Sequence, residues 1–461
     1  MGAESVIRRA GAVTVVTAAV LAVGGPSAGA ITPPEVDPAV APPTGNTGPV
    51  QTMAQRSECV ASGVIEGTDP AGVGPNLLSL NISEAWKHSR GDGQLVAVID
   101  TGVTPGPRLP EVEGGGDFVE STDGLTDCDG HGTLVAGLIA GQPGADGFAG
   151  VAPNARLISI RQSSDHFAAR DPGEDPVVAQ AHRDVATLAR AVVRAADAGA
   201  RVINISTVTC VPANKNVDQS ELGAALRYAA VEKDAVVIAA AGNTRGGTAC
   251  ESNPLTDPAR PSDPRNWANV SSVSIPSWWQ PYVLSVGSLT AGGQPSQFTM
   301  AGPWVGIAAP GENITSVSNA ADGGLANGMP DNEQGMAPIS GTGYAAAYVS
   351  GLAALVRSRF PELTAPQVVS RISGTAHTGA RSPSNLAGAG SIDPVAALTW
   401  MVPEGPESVV DPAAVRQTPA PAPPAPEDPM PRVVAFSGAG VLAALVLAVL
   451  VTSAKRKDNN T

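Results

Sequence analysis

"QLVAVID" (residues 94–100) decides the architecture. Residues 95–99 are apolar without a break, so the run lacks the alternation of a sheet half open to water. A strand of this kind is covered on both faces. It ends on Asp100, an acid delivered where the strand leaves the core. The same build recurs in "RLISIR" (156–161), "RVINIS" (201–206), "AVVIAAAGN" (235–243), "YVLSVGS" (282–288) and "VGIAAPG" (305–311). Helical patterns occupy 131–141, 177–199 and 219–234 between these runs, and 343–359 follows the last one. The alternation predicts an α/β fold: a parallel six- to seven-stranded sheet flanked by helices and joined by right-handed crossovers. Functional groups of such sheets gather at the carboxyl ends of the strands.

The folded region spans 76–400. It is preceded by a Pro-rich N-terminal extension, 31–75, and followed by a Pro-rich linker, 401–432, centred on "TPAPAPPAPEDPMP" (418–431). Such a linker favours extended conformations and cannot pack a core. At the start, Arg8 and Arg9 precede an apolar stretch, 10–23, and then Ala28-Gly29-Ala30, the pattern of a signal peptide over 1–30. Near the end, 433–454 is apolar, uncharged and long enough to cross a bilayer, and Lys455, Arg456 and Lys457 follow at once. Positive residues stay inside. The expectation is therefore a cell-membrane protein with one C-terminal transmembrane helix, an extracellular main domain and a cytoplasmic tail, 455–461. A net charge of −14 over 461 residues excludes a nucleic-acid partner and fits a surface protein.

Three strand or helix ends carry chemistry. Asp100 closes "VAVIDTGV", His131 opens a helix in "DGHGTLVAGLIAG", and Asn243 ends "AAAGN". Each alone has a bland reading: an Asp-Thr-Gly turn, a cap histidine, a Gly-Asn turn. In this order, on these elements, they form a catalytic set. A fourth stretch, "ISGTGYAAAYVSG" (339–351), starts a closely packed helix whose free N–H groups would face developing negative charge. A side chain should do chemistry on its first turn, but Gly343 has none. No cofactor and no metal enter this reading. Four cysteines outside the cell imply two disulfides, and counting alone leaves three pairings open.

The motifs "AVIDTGV", "GHGTLVAG", "AAAGN" and "SGTGYAAAYVSG" resemble those of the subtilisin-like serine proteases, the subtilase family, over about residues 75–400. The resemblance implies a subtilisin-like fold in which Asp100 orients His131, His131 is the general base and Asn243 donates to the oxyanion. The family's nucleophilic serine falls at Gly343, and a proline of its pattern is replaced by Ala347. The chain resembles most the mycosins, membrane-anchored subtilases of type VII secretion systems in actinobacteria. That likeness implies the pairs Cys59–Cys128 and Cys210–Cys250, and a type VII secretion membrane complex as partner. The segment "STVTC" (206–210) departs from the usual Ser-Leu-Gly wall of the substrate groove.

Without an Oγ at 343 no acyl-enzyme can form; loss of that hydroxyl costs a subtilisin about 10⁶ in rate. The expected function is that of a pseudoprotease with a structural or assembly role in the secretion complex. Two alternatives stand beside it. One is an active serine endopeptidase, if Gly343 is an introduced change or if Ser340, Thr342 or Tyr344 substitutes. The other is a surface protein that binds a peptide or protein without cutting it. A serine restored at 343 is expected to cost little stability, since serine is no worse than glycine at a helix start.

Overall fold

The computed structural model describes residues 31–409, apart from 174, 246–249, 258, 332–334 and 380–382, together with 441–446 and 448–449. Seven strands build the main sheet: β1 (Leu95–Asp100), β2 (Val112–Asp117), β3 (Arg156–Arg161), β4 (Val202–Ile205), β5 (Val236–Ala240), β6 (Val283–Leu289) and β7 (Val305–Pro310). Their order is β7-β6-β5-β4-β1-β3-β2, and every neighbouring pair is parallel. The strand β1 lies between β3 and β4, with Val96 opposite Val202 and Asp100 opposite Arg161.

Both faces of the sheet are covered. Val96 and Val98 pack in one core with helices α1 (His131–Ala140) and α4 (Thr342–Arg359), whereas Ala97 and Ile99 pack in a second core with α2 (Pro176–Asp197) and α3 (Ser220–Arg227). Successive side chains of a strand point to opposite faces, so two helical layers require an unbroken apolar run. Helix α4 is buried from Thr342 to Arg357, as its small residues permit. Shorter helices, α5 (Ala365–Gly374) and α6 (Pro394–Thr399), follow it.

Two features depart from the sequence pattern. The strand β2, "VEGGGD", gives no apolar signal because half of it is glycine; it is an edge strand whose register against β3 shifts between Gly114 and Gly116. Helix α3 stops at Arg227 and widens into a π-turn over Tyr228–Glu232, where a single helix is expected across 219–234.

The N-terminal extension folds onto the domain. Its Met53–Gln55 pairs antiparallel with Phe167–Ala169, and Cys59 is disulfide-bonded to Cys128. Cys210 is bonded to Cys250. The expected signal peptide 1–30, the linker beyond 409 and the tail 455–461 lie outside the described residues. From 414 onward the chain forms a unit of its own, with 441–446 and 448–449 helical. Among the described residues no helix is long and apolar enough to cross a membrane; of the expected transmembrane helix over 433–454, residues 433–440, 447 and 450–454 lie outside the described residues.

Candidate active site

The central strand β1 carries Asp100 to its exit, where the carboxylate is fully buried. His131 is the first residue of α1, and its Nδ1 lies 2.7 Å from Asp100 Oδ1. The same oxygen accepts the Thr101 N–H at 2.8 Å, while Oδ2 has no hydrogen-bond partner among the described residues. The approach is possible because glycines line it. A Cβ on Gly132 would lie within bonding distance of the Gly102 carbonyl, and Gly102 itself adopts φ +105°, a conformation that favours glycine.

A second carboxylate holds this turn. Asp127 accepts from the N–H and Oγ1 of Thr133 at 2.8 and 2.6 Å, and from the Gly130 N–H at 2.8 Å. Gly130 is the N-cap of α1 and has no side chain to cap with, so Asp127 takes over that task. Thr101 Oγ1 donates to Asp127 and accepts the Gly132 N–H, tying the exit of β1 to the start of α1. Burial pushes the Asp127 carboxyl up, although the Thr133 and Thr101 bonds oppose this. Sequence reading missed Asp127 and Thr133; the signal was a carboxylate three residues ahead of a glycine N-cap.

The imidazole of His131 keeps 27% of its side chain open to the cleft. Burial alone would lower its pKa. The charge and hydrogen bond of Asp100, with Asp127 and Asp165 farther off, overcome this and raise it to about 9. The Asp100 carboxylate thus favours the imidazolium, the form that cannot accept a proton. Tyr344 packs against it with ring centroids 4.9 Å apart.

Asn243 and Gly343 complete the group. The N–H and Oγ1 of Thr342 both donate to Asn243 Oδ1 at 3.0 Å, which fixes the amide so that Nδ2 is the end turned away. A Cβ built on Gly343 would lie 3.1 Å from His131 Nε2, so Gly343 occupies the place from which a side chain would meet the imidazole. That same Cβ would lie 2.8 Å from the Ser206 carbonyl oxygen. The expectation that serine fits here at little cost is therefore corrected: backbone, not a mobile side chain, stands in the way.

The neighbouring hydroxyls are engaged elsewhere. Thr342 Oγ1 is bonded to Asn243 and accepts the Gly242 N–H at 3.1 Å, Ser340 Oγ accepts the Asn313 N–H at 3.2 Å, and burial pushes the Tyr344 phenol far up. Asn243, His131 and Thr342 line one cleft of about 650 Å³. Its walls include Pro49, Val50 and Met53 of the extension and residues 206–209, the segment whose sequence departs from the usual groove. No cluster of His, Cys, Asp or Glu with the makings of a metal site occurs among the described residues.

Residues 91–390 match the Subtilase family, peptidase S8. Mycosin-3 of Mycobacterium tuberculosis is 62% identical over 95% of each chain, and Mycosin-1 of Mycolicibacterium smegmatis is 46% identical over 94% of this chain and 96% of its own. Among solved structures, the MycP3 protease from the type VII (ESX-3) secretion system superimposes with a TM-score of 0.79 at 70% identity, covering 80% of this chain and all of that one. A chain of an intact ESX-5 inner membrane complex gives 0.79 at 46% identity, covering 92% of this chain and all of that one. With its sheet order, the Asp100–His131 pair and these likenesses, the chain belongs to the subtilase family and, within it, to the mycosins.

Proposed function

We propose that this protein is a non-cleaving mycosin that serves as a component of a type VII secretion membrane complex. One observation carries the loss of hydrolysis: Gly343 fills the position facing His131 Nε2 and presents no atom that could attack a carbonyl. In this reading Asp100 holds the imidazole, His131 is the former base, and Asn243 is the former oxyanion donor. With no Oγ, the remaining groups can bind and polarise a peptide carbonyl but cannot form the covalent intermediate.

Association with the secretion complex rests on the likeness to a chain solved within an ESX-5 inner membrane complex. The domain would stand outside the cell, held by the apolar run 433–454 through the Pro-rich linker, with 455–461 inside.

A fluorophosphonate probe tests the central claim. The purified unmodified protein should not be labelled under conditions where an active subtilase is labelled completely; phosphonate-sensitive peptide hydrolysis by the unmodified protein would overturn it. Protease shaving of intact cells tests the topology, and should release the domain by cutting within 401–432.

A further inference from the structure

The cleft holds more negative charge than Asp100 and His131 use. Asp129 stands two residues ahead of His131, lines the cleft and is only 8% exposed. Its Oδ1 accepts the Asp165 N–H at 2.7 Å. Its Oδ2 is buried and has no hydrogen-bond partner among the described residues. Burial pushes the Asp129 carboxyl up, although the Ser164 side chain, the Asp165 N–H and the nearby His166 oppose this. Asp165 is exposed at the rim of the same cleft.

The cations of the cleft are directed at other groups, although Arg183 Nε is buried without a hydrogen-bond partner among the described residues. His131 is paired with Asp100, and His166 Nδ1 lies 2.7 Å from Ser57 Oγ of the extension. Arg183 donates to Gln180 Oε1 at 2.8 Å and faces Asp184, which Thr209 and Gln180 also serve. A buried carboxylate oxygen without a donor is unfavourable, and a ligand that brings N–H groups removes the penalty.

We propose that Asp129, with Asp165, receives the lysine or arginine side chain of an extended peptide lying in the cleft beside residues 206–208. The ammonium or guanidinium group supplies the donors that Asp129 Oδ2 lacks, and the charge-assisted bond sets a preference for basic residues. This deepens the reading above, since a chain held here is bound and released intact.

Fluorescence polarisation of the full-length protein tests the assignment, with a fluorescein-labelled eight-residue alanine-rich peptide carrying one central lysine, and the same peptide with norleucine in its place. The lysine peptide should bind about tenfold more tightly. Asp129→Asn should abolish the difference while leaving the norleucine affinity unchanged, and Asp165→Asn, at an exposed position, should reduce it. Equal affinities on the unmodified protein, a preference that survives both substitutions, or no binding of either peptide at millimolar protein would overturn the proposal. Cleavage of either peptide would instead defeat the non-cleaving reading, while the affinity ratio would still decide the charge preference.

Discussion

Asp127 and Thr133 form a closed cap on the helix that carries His131: one carboxylate oxygen takes both the N–H and the Oγ1 of Thr133, at 2.8 and 2.6 Å. The other oxygen takes the Gly130 N–H and Thr101 Oγ1, both at 2.8 Å. Asp127→Ala would leave these buried donors unsatisfied, and it should lower stability by about 2–4 kcal/mol, more than an ordinary exposed cap. Thermal unfolding of the variant beside the parent measures this; an unchanged midpoint would show that the cap is idle.

The raised imidazole of His131 makes stability depend on pH. A histidine whose folded pKa exceeds its unfolded value of 6.5 adds stability that is complete below pH 6.5 and is lost as the pH climbs through about 9. Asp184, half-buried and raised from 3.8 to about 6 by desolvation, acts in the same direction lower down, since its folded form holds a proton that the unfolded chain releases. Urea titrations should therefore show the protein weakening from pH 6.5 to 9, with His131 responsible for roughly 2–3 kcal/mol. His131→Gln should flatten that part of the profile. A decline of equal size in the variant would assign it to other groups.

Much of this site is legible in the chain because strands covered on both faces write long apolar words. Such words locate β1, and its last letter is Asp100. The small residues of "GHGTLVAG" and "SGTGYAAAYVSG" likewise announce helices that approach other backbone closely. The glycine-rich β2 is silent, because glycine leaves no periodic side chain to read. Asp127 and Asp129 are hard to separate by sequence: in "DCDGH" they look alike, yet one caps a helix and the other lines a cleft. Only the fold tells them apart. The obstacle at Gly343 is invisible in sequence, since it is the backbone of Ser206, 137 residues away.

The disulfides close long segments of chain, 69 residues for Cys59–Cys128 and 40 for Cys210–Cys250. On a chain-entropy basis each should stabilise the domain by about 4 kcal/mol. Cys59→Ser with Cys128→Ser should also loosen the extension, which the bond joins three residues ahead of His131. Hydrogen exchange should then show faster exchange over Met53–Gln55, the strand paired with Phe167–Ala169. Unaltered protection there would mean that the β-pairing holds the extension without the bond.

The site at Gly343 makes a divided prediction for Gly343→Ser. The new Cβ would stand 3.1 Å from His131 Nε2, near enough for an Oγ to meet the base, but 2.8 Å from the Ser206 carbonyl. Ser206 does not yield easily: its Oγ donates to the Gly343 carbonyl at 3.0 Å and accepts from Asn204 Nδ2 at 2.7 Å, and Asn204 Oδ1 accepts from Ser350 Oγ at 2.8 Å. Either the first turn of α4 or the exit of β4 has to move by a few tenths of an ångström, which should cost about 1–3 kcal/mol. Gly343→Ala brings the same Cβ without a hydroxyl, so it should show the same loss of stability and no labelling by a fluorophosphonate. The serine variant should be labelled slowly, and faster as the pH rises toward 9, because His131 holds its proton below that point. A serine variant that is fully stable and labelled at a pH-independent rate would show that the position is roomier, and the imidazole less basic, than this geometry requires.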